Sequence, residues 1–198
     1  MAAGRVFELS GGHAVLDLVN TLDWRFREGE PDELLASWED LVAFVEQNGM
    51  VTAKQARALR REANGAAEQV LRETRELREA LAQVLYAQLD DGGPSAAQVK
   101  RLEEYLKRAR ERERLEWNGA HAAWEPAAGE DVELPLWVLA RKAGELVTSG
   151  ELEKMRACGD PKCRWLFLDT SRNHSRVWCN MKVCGNRMKA RRFKAQHG

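Results

Sequence analysis

The sequence predicts a mainly α-helical domain with a few short strands, followed by a small cysteine-organised module built from a β-hairpin and a helix. Three observations predict it. Before residue 150, long stretches carry apolar residues at three- and four-residue steps. All four cysteines fall in the last quarter, as Cys158-Gly-Asp-Pro-Lys-Cys163 and Cys179-Asn-Met-Lys-Val-Cys184, two C-x4-C pairs. Charge divides at the same place. Residues 151–198 hold 12 Lys/Arg against 4 Asp/Glu, residues 1–150 hold 19 against 27, and the whole chain of 198 residues is neutral. The domains expected are therefore 1–150 and 151–198.

Taken in order, Phe7 to Leu9 suggests a short strand, broken by Ser10-Gly-Gly. His13 to Trp24 reads as a helix carrying Val15, Leu16, Leu18, Val19 and Leu22, and Arg25 to Pro31 as a polar turn. Leu41, Val42, Phe44 and Val45 mark a helix ended by Asn48-Gly49; Thr52 caps another running to about Ala63. Ala66 to Leu89 is the longest helix, with Val70, Leu77, Leu81, Val84, Leu85 and Leu89 on its apolar side. After the Asp90-Asp-Gly-Gly-Pro break, Ser95 caps a helix to about Trp117, whose charged half, Lys107 to Glu116, is expected in solvent. His121 to Glu125 suggests a strand, Pro126 to Glu130 a loop, and Leu136 to Val147 a last helix closed by Ser149-Gly150.

A segment as short as 151–198 needs a staple to fold. Two tight C-x4-C turns can offer four thiolates to one structural Zn²⁺ through Cys158, Cys163, Cys179 and Cys184. Two disulfides are the alternative. Between the pairs, Arg164-Trp-Leu-Phe-Leu-Asp and Arg176-Val-Trp-Cys are extended patterns around a Thr170-Ser-Arg-Asn-His turn, which predicts a hairpin; a helix follows Cys184. Knuckle, hairpin, knuckle and helix together make a treble-clef finger. On that helix Arg187, Arg191 and Lys194 share one side, and Arg172, Arg176, Lys189 and Arg192 add charge. Such a surface suits DNA phosphates; the alternative is a zinc-stabilised protein-interaction module. About six phosphate contacts would weaken binding roughly 10³-fold between 50 and 200 mM salt.

Four thiolates close a metal site to substrate, and the chain has no H-E-x-x-H, G-x-S-x-G or P-loop, so no enzyme is expected. No secretory signal or membrane-spanning run is found, which gives the expectation of a cytoplasmic protein. If 13–24 is one helix, His13, Asp17, Asn20 and Trp24 share a face that offers a small effector a polar site; local hydrogen bonding is the alternative.

Cys158 to Arg192 resembles the CGNR zinc finger, whose tetrapeptide stands here as Cys184-Gly185-Asn186-Arg187, with Phe167-Leu-Asp-Thr-Ser-Arg-Asn and Arg176-Val-Trp-Cys-Asn-Met around it. Leu16-Asp-Leu-Val-Asn-Thr-Leu-Asp23 is similar to the opening of the helical ABATE domain. Val177 departs from the basic residue expected there. The resemblance implies a bacterial, stress-related transcription regulator that binds one zinc and contacts DNA through the finger. The N-terminal domain is expected to sense a small ligand or to form a homodimer.

Overall fold

Side-chain caps begin the helices where the sequence places its Ser and Thr. The structure, a computed structural model, describes residues 5–29, 31–62, 64–90, 92–126 and 131–197. Ser37, Thr52 and Ser95 each accept a hydrogen bond from the backbone three residues on, and Asp40, Gln55 and Gln98 return it. They open α2 (Trp38–Gln47), α3 (Ala53–Leu59) and α5 (Ala96–Arg110). The remaining helices are α1 (Ala14–Asn20), α4 (Gly65–Asp90), α6 (Leu134–Thr148) and α7 (Asn186–His197). Among the described residues three two-stranded antiparallel sheets accompany them: β1 (Leu22–Asp23) with β2 (Asp32–Glu33), β3 (Glu113–Trp117) with β4 (Ala122–Pro126), and β5 (Met155–Ala157) with β6 (Leu166–Leu168). The mainly helical class with a small cysteine-rich C-terminal module is therefore correct. No helix among the described residues is long and apolar enough to cross a membrane.

By packing, the chain divides into two units, each made of two segments. Leu35–Thr148 joins the segment ending at Phe7, while Glu8–Leu34 joins Ser149–Gly198. In the first unit α4 packs on α2, α5 and α6, and α5 packs on α6. Leu77, Leu81 and Leu85 of α4, Leu41 and Phe44 of α2, and Leu136 and Leu139 of α6 are fully buried there. Phe7 stands edge-on to Phe44 with ring centroids 5.2 Å apart, and Trp38 donates its indole N–H to Leu59 O at 2.9 Å.

Several expectations change. Phe7 to Leu9 is not a strand; Phe7 N instead donates to Gln47 Oε1 at 3.0 Å. The helix expected over 13–24 stops at Asn20, because β1 draws Leu22 and Asp23 into pairing with Glu33 and Asp32. The helix after Ser95 ends at Arg110, and its charged continuation becomes β3. Arg108 and Arg112 do not simply project into solvent: both lie over the Trp137 ring, at 4.8 and 4.7 Å. The loop expected at 126–130 falls, beyond Pro126, outside the described residues.

Candidate metal centre

The second unit builds its site from two short turns and a helix start. Asp160 closes the first turn: its carbonyl accepts from Cys163 N at 2.9 Å and Arg164 N at 3.0 Å, and its Oδ1 from Lys162 N at 3.1 Å. A single π-helical turn, Met181–Gly185, carries Cys184 directly into α7. Asn180 caps that turn, accepting from Lys182 N at 2.9 Å.

These turns bring Cys158, Cys163, Cys179 and Cys184 together with all four sulfurs within 4.8 Å of one another, each buried. Cys163 and Cys179 Sγ are 3.7 Å apart, as are Cys179 and Cys184 Sγ. A disulfide needs about 2.05 Å, and all four thiols are free. Four sulfurs on a tetrahedron about 2.3 Å from a zinc ion lie about 3.8 Å apart. The donor set and its spacing therefore fit one Zn²⁺. Phe167 is buried in the cluster, with Trp24, Trp165 and Trp178 packed against it.

The sulfurs are electrostatically coupled. Cys158 is held well below the ordinary thiol range, first by hydrogen bonds from Cys163 and Cys179. Its neighbours move up: Cys163 and Cys179 chiefly because they donate to Cys158, Cys184 chiefly through burial. Four thiolates this close repel one another, so all four can be held deprotonated only around a cation.

The expected hairpin exists with a different partner. Leu166–Leu168 is a strand, but it pairs with Met155–Ala157 ahead of the first cysteine pair, not with 176–179. The competing force is Asp169. It is buried, accepts from Ser171 N at 2.9 Å, Ser171 Oγ at 2.5 Å and Arg176 N at 3.0 Å, and so closes 170–176 as a loop. The hydroxyl of Ser171 leads the contacts that hold its carboxyl below the usual range. Val177 O then accepts from Gly159 N at 2.9 Å. A Cβ on Gly159 would come within 2.8 Å of Val177 Cγ1, so this approach requires glycine.

The seven cations expected at DNA separate into two groups. Arg176 is engaged inside the unit: Nε donates to Trp178 O at 3.0 Å, Nη2 to Ser10 O at 3.0 Å and to Cys179 O, and the guanidinium lies 4.2 Å from the Phe167 ring centre. Arg187 and Arg191 donate to Asp160 at 3.2 and 3.1 Å. Arg172, Lys189, Arg192 and Lys194 are exposed, and their side chains form no hydrogen bond or ion pair among the described residues.

The four residues expected at an effector are not one helical face. His13 caps α1, accepting from Val15 N at 3.2 Å. Asp17 Oδ1 accepts from Gly11 N at 2.7 Å. Asn20 Oδ1 accepts from Leu166 N at 2.8 Å, and its Nδ2 donates to Leu166 O at 2.9 Å. Trp24 lies beyond the helix, in left-handed backbone at φ 54°, with Arg187 stacked 4.5 Å from its ring centre. Asp23 sets it there, accepting at Oδ1 from Trp24 N at 2.7 Å and from Trp165 Nε1 at 2.8 Å.

Sequence reasoning missed Asp160, Asp169 and Asp23. The signal for Asp160 was present, since Asp-Pro inside a cysteine turn is turn chemistry; nothing local pointed to its partners in α7.

Among known families, the one described as "Putative stress-induced transcription regulator" (ABATE) matches residues 12–150, and the CGNR zinc finger matches residues 154–197. No curated protein matches the sequence. With four buried sulfurs within 4.8 Å of one another inside the matched finger, the cysteines form a binding site for one zinc ion. The chain belongs to the ABATE family and ends in a CGNR zinc finger.

Proposed function

We propose that the chain regulates transcription by binding DNA through its finger, with zinc as the structural ion. One observation carries this reading: residues 186–197 hold five Lys/Arg and no Asp/Glu. At 100° per residue, Lys189 and Arg192 lie on the side of α7 opposite Arg187 and Arg191. The cations left to meet phosphates are therefore Lys189 and Arg192 on that side, Lys194 on the other, and Arg172 in the loop before the second cysteine pair. Four phosphate contacts predict affinity falling about 10²-fold between 50 and 200 mM salt, less than six contacts would give. A salt series on the zinc-loaded chain with duplex DNA reads it directly; no binding, or a flat response, removes the proposal.

The second reading is a protein-docking finger, favoured by the exposure of Val177, Met181, Val183 and Phe193. Partner capture that persists at high salt and after nuclease treatment selects it. For an effector, the helical unit offers a cavity of about 550 Å³ lined by Leu106, Arg110, Glu113, Trp124, Arg141 and Glu145, within the usual range of small-molecule sites. A ligand bound there changes tryptophan fluorescence in the wild type and not in Trp124→Leu.

A further inference from the structure

Arg187 stands where three parts of the second unit meet. Its Nη1 donates to Asp160 Oδ2 at 3.2 Å and reaches Cys184 Sγ at 4.0 Å. The flat side of the guanidinium covers Trp24. Asp160 is itself fully buried and takes a second guanidinium, from Arg191, at 3.1 Å. A buried carboxylate so held fixes the arginine to the first cysteine turn, while the residue's own backbone belongs to α7. The charge argument points the same way. Four thiolates around Zn²⁺ leave a net charge of −2, and burying that charge is costly unless cations and donors surround it.

We infer that Arg187 is a positioning residue of the metal centre and not a DNA contact: held by Asp160 and Trp24, it offsets the charge of the sulfurs and ties the direction of α7 to zinc loading. The inference rests on the zinc site alone and stands apart from the proposal that the finger binds DNA. It also gives the segment 8–34 a part in metal binding, because Trp24 comes from there. Arginine suits the position because its Nη1 meets Asp160 and Cys184 while the guanidinium plane stacks on an indole; a lysine ammonium has no plane to stack.

The test uses the full-length chain. Zinc affinity is measured by competition with a chromogenic chelator for the wild type, Arg187→Gln, Arg187→Lys and Lys194→Gln. Removing a group that supports metal ligands lowers metal affinity about 10- to 100-fold. That loss is expected for Arg187→Gln, a smaller one for Arg187→Lys, and none for Lys194→Gln. The sulfur-to-metal charge-transfer band of the cobalt-loaded protein shifts in Arg187→Gln, because Cys184 loses its donor, and stays in place in Lys194→Gln. At saturating zinc, the salt slope of DNA binding in Arg187→Gln equals that of the wild type. Wild-type zinc affinity with an unmoved cobalt band overturns the inference, as does a DNA salt slope reduced by about one. If Arg187→Gln does not fold, Arg187→Lys carries the test, and wild-type affinity there overturns it. Failure of the wild-type chain to bind DNA removes the functional proposal only.

Discussion

Asp17 shows how a single buried group can shape stability without touching the metal. Burial pushes its carboxyl up from an ordinary 3.8 to about 6, against the hydrogen bonds from Gly11 and Ser10 that favour the charge. Below about pH 3 the group is protonated in both folded and unfolded chains. As pH rises toward 6 the unfolded chain releases its proton first, so the fold loses stability, by about 3 kcal/mol at most. Asp17→Asn keeps an acceptor for Gly11 and removes the titration. Its stability relative to the wild type should therefore rise between pH 4 and 6 and stay constant above 7. Denaturant melts of the two proteins at matched pH check this. Loss of zinc at low pH affects both alike and cancels in the difference, and a pH-independent difference would contradict the assignment. Gly11 fits the same picture, since a Cβ there would lie 2.9 Å from Asp17 Oδ1.

At the scale of elements, the contact between α1 and β6 depends on one amide. Asn20 meets both the N–H and the carbonyl of Leu166, as a neighbouring strand would, and it lies 146 residues away in sequence. Asn20→Ala leaves two buried backbone groups without partners, which costs about 2–4 kcal/mol; chemical denaturation of the zinc-loaded chain measures it. This contact also marks where sequence reading stopped. The α-helices were legible because apolar spacing and caps such as Ser95 are local signals. The cysteines were legible because matched spacing is itself a geometric statement. Arg187 was read as a phosphate contact because helical angle alone cannot reveal that Asp160 waits 27 residues upstream. β3 was read as helix because Lys107 to Glu116 has helix-forming composition. Its strand depends on pairing with β4, where Leu115 sits opposite Trp124 and Trp117 opposite Ala122. The partner of β6 was misassigned because Asp169, not strand propensity, decides how 170–176 closes.

For the whole molecule, the consequence is that the metal-bearing unit is discontinuous. Glu8–Leu34 joins Ser149–Gly198 through Gly11 O accepting from Leu168 N at 2.8 Å, Ser10 O accepting from Arg176, and Glu8 accepting from Asn180 Nδ2 at 2.6 Å. Zinc removal should therefore raise hydrogen exchange in α1 and its flanks together with the cysteine turns. Exchange mass spectrometry with and without a chelator checks this; unchanged protection of 14–20 would show that the two segments open independently. The central claim is simpler, and X-ray absorption at the zinc edge of the purified chain tests it most directly. One zinc per chain, surrounded by four sulfur scatterers at about 2.3 Å, is the predicted result. Nitrogen or oxygen in the shell, or sulfurs paired at about 2.05 Å with no zinc present, would contradict it.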